Sequence, residues 1–140
     1  MNPRSEAARA VVERARQRCE YCRMHQSLQG ATFHIEHIQP ASRGGSDSKD
    51  NLALACPGCN LAKSDRTEAI DPANGETVPL FNPRTDRWID HFAWEADRTM
   101  RGFTPIGRAT IAMLNLNHSR RVRIREAEEW FELFPPDEEC

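Results

Sequence analysis

No apolar run in these 140 residues approaches the about 20 that a helix needs to span a bilayer. No membrane partner is therefore expected. The opening stretch MNPRSEAARAVVERARQ lacks an uninterrupted apolar core of signal-peptide length and is broken by acids. A cytoplasmic protein is the expectation. Aromatic residues are scarce at 7%, and apolar residues amount to 39%. A core this lean, in a chain of single-domain length, suggests that a structural metal helps to hold the fold. No internal repeat is visible, which sets aside repeat architectures. Lys and Arg are missing from residues 126–140, which hold seven acids. Without that segment the net charge of −2 becomes 19 basic against 14 acidic residues. The basic excess thus belongs to the body of the chain, and the acidic end reads as a solubilising tail.

The elements that are present alternate in type. Ser5 to Arg18 carries Ala8, Val11, Val12 and Ala15 at helical spacing, which predicts an amphipathic helix running into Cys-Glu-Tyr-Cys. ATFHIEHI reads as a strand stopped by Pro40, ASRGGSDSKD as a polar loop and NLALAC as a strand returning beside the first. Pro57 suits the first turn of a following helix. DPANGETVPLFNPRTD reads as linker or irregular loop, and WIDHFAWE with TMRGFT as a hairpin. Thr104 and Pro105 open a helix, and Asn117 or Ser119 caps a last one reaching Phe134. The fold class is α+β, with residues 1–70 as an N-terminal helix plus a metal-stapled core. Residues 71–140 form a mainly helical extension expected to pack on that core.

In a reducing compartment the five cysteines point to metal ligands rather than disulfides. Cys19-x-x-Cys22 and Cys56-x-x-Cys59 are identical pairs with 33 residues between them. Each turn lets two thiolates grip one tetrahedral ion, and two turns close a four-sulfur structural Zn²⁺ site. The strand-loop-strand unit fits the intervening span. Cys140, at the acidic terminus, is a bystander.

HIEHIQP, residues 34–40, puts two histidines and a glutamate where a half-buried strand needs none of them. Gly44-Gly45, Asn51 and Asn60 follow, giving E-H-x-x-P, then GG, N-L and C-x-x-C-N-x-x-K. Over residues 16–66 this order resembles the HNH endonuclease family, with its ββα-metal motif, in the variant whose final motif residue is asparagine. The resemblance implies a DNA phosphodiester hydrolase that leaves 3′-hydroxyl and 5′-phosphate ends, with Asn51 positioning the catalytic histidine. An imidazole takes up a proton from water near neutral pH, so His37 is assigned as general base. Glu36 supplies a hard carboxylate oxygen to Mg²⁺ or Mn²⁺ and Asn60 a neutral amide oxygen, with water and phosphate completing the shell. A single ion fits a unit that nicks one strand at a time.

Three further residues are candidate nucleic-acid contacts. Lys63 lies one helical turn beyond Asn60, Arg43 lies beside the glycines, and His34 shares a strand face with Glu36. His34 also stays open as an additional ligand or as a partner to the ligands. Neighbours on a strand point to opposite faces, so Glu36 and His37 reach one site only if the strand ends, twists or bulges there. Arg84, Arg87, Arg98, Arg101 and Arg108 form either a second DNA-contacting surface or an ordinary shell around Trp88, Phe92, Trp94, Ile106 and Leu114. Double-stranded DNA is the expected partner, and both a monomer and a homodimer fit. The rival readings are a noncatalytic zinc-dependent DNA-binding module and a redox or zinc-storage protein.

Overall fold

Ser5 opens the first helix by accepting the Ala8 N–H at 3.1 Å, and the helix α1 runs Glu6–Arg14 with Ala8 and Val11 buried. The computed structural model describes residues 5–137, so Cys140 and the end of the acidic segment lie outside the described residues. The helix stops short of the expected Arg18 because Arg16 and Gln17 both take positive φ, 55° and 60°. A right-handed helix cannot continue through two such residues. The reversal instead carries the chain into Cys19–Cys22, closed by Cys19 N–H to Met24 O and Gln26 N–H to Gln17 O.

By compactness the chain divides into residues 1–67 and 68–140. In the first unit, strands β1, His34–His37, and β2, Leu52–Ala55, pair antiparallel, with Glu36 opposite Ala53 and His37 opposite Leu52. All four residues of β2 are buried. Its outer carbonyls and amides are met from both sides. Arg14 donates to Lys49 O and Leu52 O, and the Glu20 backbone and carboxylate bond Leu54 O and N–H. Helix α2, Pro57–Lys63, follows at once, with Cys56 as its cap and Pro57 in its first turn. This strand-loop-strand-helix order is the one expected.

The second unit holds two hairpins and two helices. Strands β3, Glu68–Ile70, and β4, Thr77–Pro79, pair antiparallel. Of the polar stretch expected as a linker, residues 71–76 are therefore the turn of a hairpin and residues 77–79 its second strand. Asp71, fully buried, accepts the Ala73 N–H at 2.9 Å and a bidentate pair of bonds from Arg108 at 2.8 and 3.0 Å. Gly75, at φ 76°, closes the turn. Strands β5, Phe92–Trp94, and β6, Met100–Gly102, form the expected second hairpin. Helix α3, Pro105–Leu114, starts at Thr104, whose hydroxyl accepts the Gly107 N–H.

Helix α4, Ser119–Trp130, departs from expectation at both ends. His118 caps it, while Asn117 bonds the N–H and C=O of Met100 across the unit. At its other end Glu132 turns to φ 60° and Leu133 N–H closes on Glu128 O, so the helix stops before Phe134. The buried face of α4 is charged rather than apolar. Arg121 donates to Leu114 O, and Arg125 donates to Arg98 O and Leu116 O while stacking 4.9 Å from the Trp94 ring. Leu114 O belongs to the last turn of α3, where carbonyls lack helical partners, so arginine is the residue type that fits. Among the described residues the acidic segment is built into the fold: Glu128 is buried inside α4, and Glu129 holds Arg98 through two bonds of 2.6 and 2.9 Å. With Arg98 and Arg108 committed to carboxylates, those two arginines follow the structural alternative. No helix among the described residues is long and apolar enough to cross a membrane.

The bonds from Arg108 hold the Asp71 carboxyl below its ordinary range. A depressed folded pKa gives stability that is present above the unfolded value, near 3.9, and lost as pH falls through the folded value. Asp71→Asn should therefore lower the thermal midpoint at neutral pH. Its deficit against the parent should close below about pH 4, as read by calorimetry across the pH series.

Candidate active site and metal centre

Cys19 and Cys22 sit on the turn after α1, and Cys56 and Cys59 at the start of α2. All four are buried and unpaired by disulfides, with their sulfurs within 4.8 Å of one another. Cys22 Sγ lies 3.7 Å from Cys56 Sγ. A tetrahedron with metal–sulfur bonds of about 2.3 Å has edges of about 3.8 Å, so the spacing fits one zinc ion. Within each turn a backbone N–H faces sulfur, Cys22 to Cys19 at 3.5 Å and Cys59 to Cys56 at 3.3 Å. Such bonds orient thiolate ligands. Burial pushes the Cys19 and Cys59 thiols well up, while hydrogen bonds from Cys19, Cys22 and Cys59 push Cys56 far down. Thiolates are the form in which cysteines bind a metal, so a cation at the cluster would be taken up with release of protons.

The polar site is built beside this cluster. Glu36 points inward from β1 and is only 6% exposed. One carboxylate oxygen accepts the Tyr21 hydroxyl, and the other lies 3.2 Å from Lys63 Nζ. Burial raises the Glu36 pKa against the opposing pull of Lys63 and Tyr21. Burial first, and then the Glu36 charge, push the Tyr21 phenol well up, so it stays the donor. Lys63 is 2% exposed and also donates to His37 O and Ile38 O, at 3.3 and 3.1 Å. Expected as a phosphate contact, it is instead sequestered. A buried ammonium needs its donors satisfied, and the end of β1 satisfies them.

β1 ends at His37, and Pro40 then leads into a helical turn over Ala41–Arg43. Glu36 and His37, neighbours in sequence, thereby line one open pocket of about 250 Å³ with Asn60, Ile35, Pro40, Ala41, Ser64 and Asp65. Glu36 and Asn60 offer it two oxygen donors of the kind that a hard cation takes. His34 is exposed and lies outside this pocket. Arg43 is exposed too, with a long 3.5 Å contact to Thr67 Oγ1.

Asn51 also stands outside the lining. Its side chain bonds Gln39 N–H at 2.8 Å, Gln39 O at 3.0 Å and Ser46 O at 2.8 Å, rather than the His37 ring. It staples the loop instead. Gly44 takes a positive φ of 83°, while Gly45 serves differently: a Cβ there would lie 1.8 Å from Gln39 O. The His37 ring is met by Asp47, whose Oδ1 lies 2.7 Å from Nε2. Sequence reasoning missed both Asp47 and Tyr21. Tyr21 is the one tyrosine of the chain and sits between two ligand cysteines, a signal that was available. Asp47 stands in a polar loop with nothing to set it apart.

Residues 19–66 match the HNH endonuclease family. The match opens on the first cysteine and closes three residues after Lys63, so the HNH segment contains both the sulfur cluster and the pocket. No curated protein and no solved structure matches the chain.

Purified protein is expected to carry one tightly held zinc, and stripping it should unfold residues 5–67, as followed by circular dichroism. Cys22→Ser should fail to retain the ion. Gly45→Ala should cost roughly 1–3 kcal/mol in denaturant titration while zinc content stays at one per chain. An unchanged midpoint would mean that the loop has room the geometry denies.

Proposed function

We propose that the HNH segment is a metal-dependent nuclease that hydrolyses DNA phosphodiester bonds, with its cysteine cluster holding a structural zinc. The observation carrying this reading is the gathering of Glu36, His37 and Asn60 around one open pocket inside the matched segment. Family membership alone supports a nuclease or DNA-binding role, and the pocket favours the catalytic one. A carboxylate and an amide oxygen beside open space fit Mg²⁺ or Mn²⁺, because such ions keep several waters and accept phosphate oxygens. When bound, the cation supplies positive charge against the phosphate and the departing oxygen.

The chain's own residues divide the remaining work. Glu36 and Asn60 hold the cation, and Tyr21 and Lys63 fix the Glu36 carboxylate from either side. His37 takes a proton from the attacking water as its oxygen bonds to phosphorus, the bond to the 3′ oxygen breaks, and that oxygen takes a proton from solvent water. The ends formed are a 3′-hydroxyl and a 5′-phosphate. Asn51 holds the loop from Gln39 to Ser46 against the end of β1. Arg43 and His34, both exposed on this unit, are offered as backbone contacts. One cation site per chain matches nicking, and a homodimer would pair two nicks.

Full-length protein should nick supercoiled plasmid when Mg²⁺ or Mn²⁺ is added and stay inactive without it. His37→Ala should lose about 10²–10⁴-fold in rate with zinc content and thermal midpoint unchanged. Cleavage by that variant at the parental rate sinks the base assignment. Salt-dependent DNA binding with no cleavage under any cation would instead identify a noncatalytic zinc module.

A further inference from the structure

We propose that Asp47 is a positioning residue for His37, fixing which ring nitrogen carries the hydrogen. The inference rests on the reading of His37 as the base. Its observation is the 2.7 Å contact between His37 Nε2 and Asp47 Oδ1. An ionised carboxylate only accepts hydrogen bonds, so the ring nitrogen facing it carries the hydrogen. Nδ1 is then left with its lone pair free, on a residue that lines the pocket. A base must present that lone pair to water. The other tautomer would hold a hydrogen there and could take none.

The loop that carries Asp47 is pinned on either side. Asn51 Nδ2 donates to Ser46 O at 2.8 Å, and Gly45 N–H donates to Pro40 O at 2.9 Å. Beyond Asp47, Ser48 N–H bonds Ser46 Oγ and Asp50 N–H bonds Ser48 Oγ, both at 3.3 Å. A side chain 82% exposed packs against little. A contact that exposed adds little to stability, so its effect should fall on the histidine ring and not on the fold. Asn51 then reaches His37 through the loop: it fixes Ser46, and Ser46 fixes the position of Asp47.

The test uses full-length, zinc-loaded protein in parental, Asp47→Ala and Asp47→Asn forms. Plasmid nicking should fall about 10–100-fold in kcat for Asp47→Ala, with KM and thermal midpoint unchanged. Asp47→Asn keeps an acceptor oxygen and should recover most of the rate. Nitrogen-15 spectra of the His37 ring, recorded at about pH 8.5, above the range in which imidazoles titrate, should show the Nε2–H form in the parent. A mixture of tautomers should appear in Asp47→Ala. A parental kcat or parental ring spectrum in Asp47→Ala overturns the proposal, and so does a fall in thermal midpoint that accompanies the loss of rate. If no form cleaves DNA while the ring spectra shift as expected, the nuclease reading fails and the positioning contact stands.

Discussion

Drawing four sulfurs to one point constrains nearly everything in residues 5–67. The first cysteine pair lies on the turn after α1 and the second on the first turn of α2, so one ion held by all four would tie together segments that are 33 residues apart. Tyr21 immediately precedes one ligand, and Asn60 immediately follows another. Once the sulfurs are placed, the phenol that holds Glu36 and the amide that lines the pocket have little freedom left. Zinc held by the two turns would do part of what a larger core does elsewhere, which fits the lean apolar composition.

Lys63 completes this arrangement from the other side. An ammonium has three N–H donors, and Lys63 meets three acceptors: a Glu36 oxygen, His37 O and Ile38 O. Two of those are carbonyls at the end of β1, so the lysine sets the last turn of α2 against the strand terminus. That contact settles how Glu36 and His37 serve one pocket although strand geometry sends neighbours to opposite faces. β1 is cut short at His37 and held there, and the chain bends away at Pro40 before the alternation can continue. Burial penalises the charged Glu36, and the nearby cation and phenol oppose that penalty. Burial has the larger effect, so the net shift is upward, and a cation bound at the pocket would favour the ionised form.

What the sequence made legible was local. Cys-x-x-Cys spacing, the Ser5 and Thr104 caps, and Pro57 and Pro105 in first turns all act within a few residues of their own positions, and the structure contains each of them. β1 forms where expected, but His34 is exposed while Glu36, two residues on, is buried. The candidate residues Glu36, His37 and Asn60 were legible for a different reason, as rare residue types in a fixed order. Features set by distant partners were not readable. Lys63 looks like a surface lysine until β1 is placed over it, and Asp47 looks like loop polarity until the His37 ring is placed beside it. Asp71-Pro-Ala-Asn-Gly reads as a linker because nothing nearby reveals that Arg108, 37 residues on, clamps its first residue. His118 displaced the expected caps because Asn117 was needed at Met100.

Charge shows how far the division of the chain alters a reading made from totals. Residues 1–67 carry 10 Lys and Arg against 7 Asp and Glu, and residues 68–140 carry 9 against 14. The whole-chain value of −2 therefore hides a unit at +3 and a unit at −5. Acids of the second unit are also part of its helix, since Glu128 is buried in α4 and Glu129 pairs with Arg98. In the first unit, burial of Glu20, Glu36 and Lys63 takes two acids and one base away from solvent. Four thiolates holding one Zn²⁺ would add −2 to the first unit and bring it from +3 to +1. The pocket lining itself carries Glu36 and Asp65 and no lysine or arginine. The proposed DNA partner therefore rests on the family match and the pocket, and not on net charge.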